Sequence, residues 1–202
     1  MISHACLRRV MVRGRRNCLG RTLLLSLVAF SVGLGACSDD PFIFPWLAAP
    51  DTVLLYSLAR PEMNLEAAFN FKERIKIKVE AATATGTWDI AVDTRGGQMV
   101  LLPPGALGIS SKARIAALSG QDFDDLVDAP SDTALYTASD PVPVSLASVY
   151  VVKTGQTPGI FGSACSYYAK LEPLVVDVAG GTLTFKFDAS PVCNSLRLIP
   201  PD

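Results

Sequence analysis

The sequence predicts an all-β fold, a single-domain antiparallel sandwich or partly open barrel with little helix. Residues 69–80 alternate between apolar and polar side chains, the period-two pattern of a strand with one buried face. Two later segments have turn signals at paired glycines, Gly96-Gly97 and Gly180-Gly181, as β-hairpins do. About six to nine short strands are expected, a number typical of a sandwich or barrel.

The first 36 residues have the pattern of a signal peptide. Residues 1–21 carry six arginines and no acid, and residues 22–36 are continuously apolar. The closing Leu34-Gly35-Ala36-Cys37 resembles the bacterial lipobox, which makes Cys37 the expected lipid-attachment residue. A plain signal peptide cut elsewhere and an uncleaved anchor helix are the alternatives, although the apolar run is shorter than the ~20 residues that span a bilayer.

The leader predicts where the protein is located. We expect an exported protein of the bacterial cell envelope, attached to the membrane through its lipid, on the periplasmic side or at the outer membrane surface. The pair Arg15-Arg16 leaves twin-arginine export open beside the general route, and Met11 is an alternative start.

The charge of the mature chain, residues 37–202, argues against some partners. Six of the 18 Lys and Arg lie in the leader, so 12 remain against all 19 Asp and Glu, a net charge of −7. Nucleic acids and anionic lipids are bound by concentrated basic residues, and the mature sequence has no basic cluster. We therefore expect no nucleic-acid partner.

Two cysteines remain once the leader is removed and Cys37 carries lipid. An even pair in an exported chain predicts a disulfide between Cys165 and Cys193, which would close a loop of about 29 residues and stabilise the fold by roughly 3–4 kcal/mol. Two separate thiols, or half of a metal site, are the alternatives. We predict no metal, because the only histidine, His4, lies in the leader.

The mature chain divides into a proline-rich tether, residues 37–51, and an all-β domain, residues 52–202. Three tether aromatics, Phe42, Phe44 and Trp46, could instead dock on the domain. Strands are expected at residues 53–59, 69–80, 88–93, 99–102, 149–154, 167–177 and 182–188. In the last of these, Leu183, Phe185 and Phe187 should share the buried face.

Most large classes of catalytic site are missing from the mature sequence. Without histidine there is no Ser-His-Asp or Cys-His nucleophile, and the sequence contains no P-loop, G-x-S-x-G or S-x-x-K motif. Paired carboxylates remain conceivable, but no sequence spacing indicates them. We expect a protein that is not an enzyme and holds no cofactor.

Two short segments are candidate binding elements. Residues 122–128 contain four aspartates, which could bind calcium but are more typical of a solvated turn whose Phe123 and Leu126 face inward. Tyr167 and Tyr168 are strand neighbours, so one ring should pack in the core and the other lie at the rim. A tyrosine that stacks on a ligand is the alternative.

Five segments, taken in order, carry a resemblance to a known family. They are Gly86–Ala91 (GTWDIA), residues 122–130 (DFDDLVDAP), Val149–Thr154 (VYVVKT), Tyr168–Leu171 (YAKL) and Gly181–Phe187 (GTLTFKF). With these segments, which span residues 86–187, the chain resembles the HmuY-type lipoproteins, all-β haem-binding proteins of bacterial cell surfaces, and exported lipoproteins related to them. The resemblance implies an all-β surface protein.

Haem binding is the part of the resemblance that this sequence supports least. Haem ligation in that family commonly uses histidines, and the mature chain has none. Iron would have to be held by Met63, Met99 or a tyrosine such as Tyr167 or Tyr168. Met99 lies in an apolar strand, where core packing is expected.

These observations favour a lipid-anchored envelope protein that serves as a non-catalytic binding module for a small ligand or a surface partner. A structural envelope component is the alternative, and a haem-binding lipoprotein with non-histidine ligation is another. A deep apolar pocket would distinguish a ligand-binding module from a structural component.

Overall fold

The computed structural model describes Trp46 and residues 49–159 and 162–200. Residues Phe44–Asp202 form one compact unit. The described residues contain thirteen strands: β1 (Asp51–Tyr56), β2 (Ala68–Asn70), β3 (Ile75–Ile77), β4 (Ile90–Arg95), β5 (Gln98–Leu102), β6 (Arg114–Ser119), β7 (Tyr136–Thr137), β8 (Val142–Pro143), β9 (Ser148–Lys153), β10 (Thr157–Pro158), β11 (Ala164–Cys165), β12 (Tyr168–Asp177) and β13 (Thr182–Ala189). Two short 3-10 helices, Pro104–Leu107 and Thr133–Leu135, are among the described residues.

The strands form two main antiparallel sheets, which confirms the predicted all-β fold. Sheet I has the order β1-β13-β12-β9-β6-β7, and sheet II has the order β3-β2-β4-β5-β8. A separate two-stranded ribbon joins β10 and β11. The two main sheets share an apolar core and do not close into a barrel, which is consistent with a sandwich.

Aromatic rings fill the core between the sheets. Leu183, Phe185 and Phe187 of β13 are fully buried there, as the alternation predicted. The ring of Phe69 on β2 meets that of Phe187 edge to face, with centroids 4.9 Å apart. Such pairs contribute about 0.5–1.5 kcal/mol beyond the area that they bury. Phe71 completes the cluster, 5.0 Å from Phe69.

Both hairpins that paired glycines predicted are present. In the β4–β5 turn, Gly96 and Gly97 have φ angles of 58° and 78°. Two consecutive positive φ angles are required by the tight turn that follows the twist of the strands, and glycine adopts them without strain. The second hairpin joins β12 to β13, with Gly181 at a φ of 60°.

The prediction of one strand over residues 69–80 is wrong. The chain turns back after Asn70, so that β2 pairs with β3 in a short hairpin. Two side chains replace the lost ladder bonds: Asn70 Oδ1 accepts from the Glu73 N–H at 2.8 Å, and Asp89 Oδ2 accepts from the Phe71 N–H at 2.9 Å. Arg74, at a φ of 55°, completes the turn. The alternation of apolar and polar residues indicated β structure but did not reveal the turn after Asn70.

Trp46, near the end of the proline-rich segment, contacts the domain. The Trp46 indole N–H donates to Asp188 Oδ2 at 3.1 Å, and β1 begins at Asp51. Trp46 therefore docks, whereas Phe42, Phe44 and the predicted lipid-attachment residue Cys37 lie outside the described residues.

The outer face of sheet I, the side turned away from sheet II, is partly covered by a loop and by the chain end. Phe123, Leu126 and Leu198 form a second apolar cluster there with Val149 and Val151 of β9. The turn predicted within residues 122–128 is present at residues 123–125, and the side chains of Phe123 and Leu126 face inward. Within the described residues there is no helix with the length and apolarity that a membrane crossing requires.

Candidate functional site: a tyrosine pocket on the outer face of sheet I

One end of the outer face of sheet I carries a row of side chains from three neighbouring strands. Arg114 at the start of β6 pairs with Lys153 at the end of β9, and Lys153 pairs with Tyr168 at the start of β12. Directly opposite residues of antiparallel strands project from the same face of a sheet. Tyr168 packs against the outer apolar cluster, which places the whole row on the outer face.

The row lines a pocket with a volume of about 320 Å³, which we call the tyrosine pocket. The remaining lining residues are Pro130, Ser131 and Thr133, from the segment that precedes β7, and Tyr136 at the start of β7. The volume lies at the lower end of the range of about 300–1,000 Å³ for small-molecule sites. The pocket therefore suits a compact molecule.

Tyr136 ties the wall of the pocket to its floor. Its hydroxyl donates to the Pro130 carbonyl at 3.0 Å, while its backbone pairs with Ala116 of β6. Burial, and to a smaller degree the nearby Tyr168, raises the pKa of Tyr136 well above its ordinary value. The phenol is therefore neutral at physiological pH and presents an apolar ring with a polar tip.

A buried lysine holds the loop that leads to this wall. Lys170 is 3% exposed, and its ammonium donates to the carbonyls of Phe123 at 2.7 Å and Leu126 at 3.0 Å. The ammonium also lies 4.6 Å from the centre of the Phe123 ring. Burial lowers the pKa of Lys170, and the negative charge of Asp188 partly offsets this effect.

Residues 196–198 hold the same loop through backbone hydrogen bonds. The Ala129 N–H donates to the Leu196 carbonyl at 2.8 Å, and the Leu198 N–H donates to the Val127 carbonyl at 2.7 Å. Both bonds lie just before Pro130, where the pocket wall begins. The wall is therefore held by backbone and side-chain hydrogen bonds before any ligand enters.

The charged residues that line the tyrosine pocket, Arg114 and Lys153, are both cations. No acidic side chain is among its lining residues. Among the ion pairs between described residues, none includes Arg114 or Lys153. The Lys153 ammonium lies 5.9 Å from the centre of the Tyr168 ring, close to the limit of about 6 Å for a cation–π contact.

A groove between the two sheet edges has a different character. It has a volume of about 480 Å³ and lies between β1 and the β2–β3 hairpin, with Phe69 among its lining residues. Its cations already have acidic partners: Arg74 pairs with Asp188 at 3.1 Å, and Lys76 pairs with Glu66. The cations of the groove are therefore already paired with acids, unlike Arg114 and Lys153 of the tyrosine pocket.

Asp89 borders a small third cavity of about 60 Å³. The carboxylate is 4% exposed and accepts hydrogen bonds from the Phe71 and Gly155 N–H groups at 2.9 and 2.8 Å. Burial raises the pKa of Asp89 to about 6, against the opposite effect of these two bonds. Asp89 joins the β2–β3 turn of sheet II to the segment after β9 of sheet I, which is a structural role.

The structure separates the residues that the sequence singled out. Cys165 and Cys193 lie at disulfide distance and are bonded, with Cα atoms 5.3 Å apart. Met99 is fully buried in the core as expected, whereas Met63 is 78% exposed. Among the described residues no three His, Cys, Asp or Glu side chains cluster as metal ligands would, and Asp122 Oδ1 accepts from the Asp124 N–H.

The two neighbouring tyrosines differ from expectation. Both Tyr167 and Tyr168 are half-buried, so neither lies fully in the core. The Lys72 ammonium lies 5.7 Å from the Tyr167 ring, and Tyr168 lines the pocket. The sequence offered Tyr167 or Tyr168 as a ligand-stacking candidate but missed Arg114, Lys153 and Tyr136. Their proximity depends on strand register, for which the sequence carries no signal.

Comparison with protein-family models, with curated proteins and with solved structures found no match to this chain. The resemblance to HmuY-type lipoproteins therefore stays a prediction from the sequence.

Proposed function

We propose that this protein is a lipid-anchored envelope protein that acts as a non-catalytic binding module for a small ligand held in the tyrosine pocket. The leader and Cys37 support the location, and the disulfide pair Cys165 and Cys193 is typical of an exported protein. The observation that carries the binding role is the pocket itself. Two tyrosines and two cations from four separate strands converge on one concavity.

The pocket has features that packing alone does not require. Ligand sites combine apolar and aromatic walls with a few convergent polar groups. Tyr136 and Tyr168 supply the rings, and Ser131 and Thr133 are exposed residues with hydroxyl groups at the rim. The wall is fixed in advance, which lowers the ordering cost of binding.

A ligand screen with paired tyrosine variants tests this proposal. A library of small soluble compounds is screened by ligand-observed NMR against the full chain in non-ionic detergent, with Tyr168→Ser and Tyr167→Ser as matched variants. We expect hits that are lost with Tyr168→Ser and kept with Tyr167→Ser, because Tyr167 does not line the pocket. Hits that survive both substitutions would reject the tyrosine pocket as the site.

A further inference from the structure

The charged residues of the tyrosine pocket indicate the chemical class of the ligand. Arg114 and Lys153 are directly opposite each other on adjacent strands. Like charges in that position destabilise a sheet. The mature chain has an acidic excess of seven charges, and yet no acid lines this pocket. An anion bound between the two cations would turn this repulsion into attraction.

We propose that the ligand is a compact ring-bearing molecule with one oxyanion group, a carboxylate or a phosphate, and this inference rests on the proposed function. The Arg114 guanidinium presents a planar fork of N–H donors, which matches the two oxygens of such a group. The Lys153 ammonium supplies a second positive charge from the neighbouring strand. The side-chain hydroxyls of Ser131 and Thr133 are further donors on the wall.

The two tyrosines account for the ring-bearing part of the ligand. Their rings provide apolar surface beside the cations, and the Tyr136 hydroxyl is already used in its bond to Pro130. The pocket volume of about 320 Å³ leaves room for one small ring system and its acid group. The ring of the ligand packs on the tyrosines while its oxyanion meets Arg114 and Lys153.

The other concavities lack this combination. In the groove between the sheet edges, Arg74 and Lys76 are already paired with acids. The small cavity at Asp89 includes the acids Asp89 and Glu73 among its lining residues. Of these three described concavities, only the tyrosine pocket places two cations without an acidic lining residue.

Titration calorimetry on the full chain in non-ionic detergent tests the inference, with benzoate, phenyl phosphate, benzamide and inorganic phosphate as probes. Benzamide keeps the ring and shape of benzoate without its charge, whereas inorganic phosphate has the charge without the ring. We expect benzoate or phenyl phosphate to bind with millimolar affinity or tighter, and at least about tenfold more tightly than either control probe. The stronger of the two acids identifies the oxyanion.

Charge variants show whether the anion lies where we place it. Arg114→Gln and Lys153→Gln should each weaken binding of the acid by about tenfold, because each removes one charge-assisted contact. Lys78→Gln removes one charge from an exposed position after β3 of the other sheet and should leave the affinity unchanged. Circular dichroism of each variant verifies that it is folded.

The outcomes separate the ligand class from the site. Benzamide binding as tightly as benzoate, and lost with Tyr168→Ser, would overturn the oxyanion while keeping the pocket. Acid binding that is unchanged by Arg114→Gln and Lys153→Gln would overturn the placement. The absence of saturable binding of both acids at millimolar concentration would also overturn the inference, whereas the library screen tests the pocket independently.

Discussion

Replacing Asp89 by Asn should change how the stability of the domain depends on pH. Because Asp89 is buried, its pKa rises from 3.8 to about 6 in the folded protein. This shift corresponds to roughly 3 kcal/mol between the two protonation states. Between pH 3.8 and about pH 6, the folded chain holds the proton of Asp89, whereas the unfolded chain has released it. The free energy of unfolding therefore falls as pH rises through this window.

The Asn variant lacks this titration but loses one hydrogen bond. Its amide oxygen can accept from the Phe71 or the Gly155 N–H, and the other N–H then faces the amide nitrogen. Leaving one buried donor without an acceptor costs about 1–3 kcal/mol. At about pH 4 the variant should therefore be less stable than the wild type by that amount. Near neutral pH the difference in free energy of unfolding should disappear or change sign, because the wild type then holds a buried charge.

Urea unfolding of both proteins at pH values from about 4 to about 7 measures this change. The wild type should lose roughly 2–3 kcal/mol relative to Asp89→Asn over that interval. Glu80→Gln, at an exposed position, should track the wild type at every pH. A constant difference between wild type and Asp89→Asn would refute the reasoning, since the pKa of Asp89 would then be equal in the two states.

Three further predictions concern the anchor, the disulfide and haem. Cys37→Ser should abolish palmitate labelling of the intact precursor, and equal labelling of both forms would refute the lipobox interpretation. Cys165→Ser should lower the free energy of unfolding by about 2–4 kcal/mol in urea, because an unfolded chain without the bridge has more conformations, whereas an unchanged midpoint would contradict this. Haem added to purified residues 37–202 should give no sharp low-spin Soret shift, since this part of the sequence has no histidine. A stoichiometric low-spin spectrum that is lost with Met63→Ala would overturn that expectation.

Local sequence patterns determined a large part of the sandwich. The alternation of Leu183, Phe185 and Phe187 assigned the buried face of β13, because successive side chains of a strand point to opposite sides. Gly96 and Gly97 marked the β4–β5 turn, since few other residues adopt two consecutive positive φ angles. Cys165 and Cys193, the two cysteines that follow Cys37, predicted the disulfide between them. Each of these features depends on one or two short segments.

The tertiary structure decided what distant segments do together. The pattern of residues 69–80 predicted one strand. The turn that divides this segment depends on Asp89, from a separate segment, because its carboxylate accepts a hydrogen bond from the Phe71 N–H. Three site residues lie at strand ends: Arg114, Lys153 and Tyr168. The sequence around each of them does not indicate that they come together. A period of two gives the face on which a side chain lies but not the partner strand or the register. The candidate site exists only because β6, β9 and β12 pair in the register that aligns these three residues.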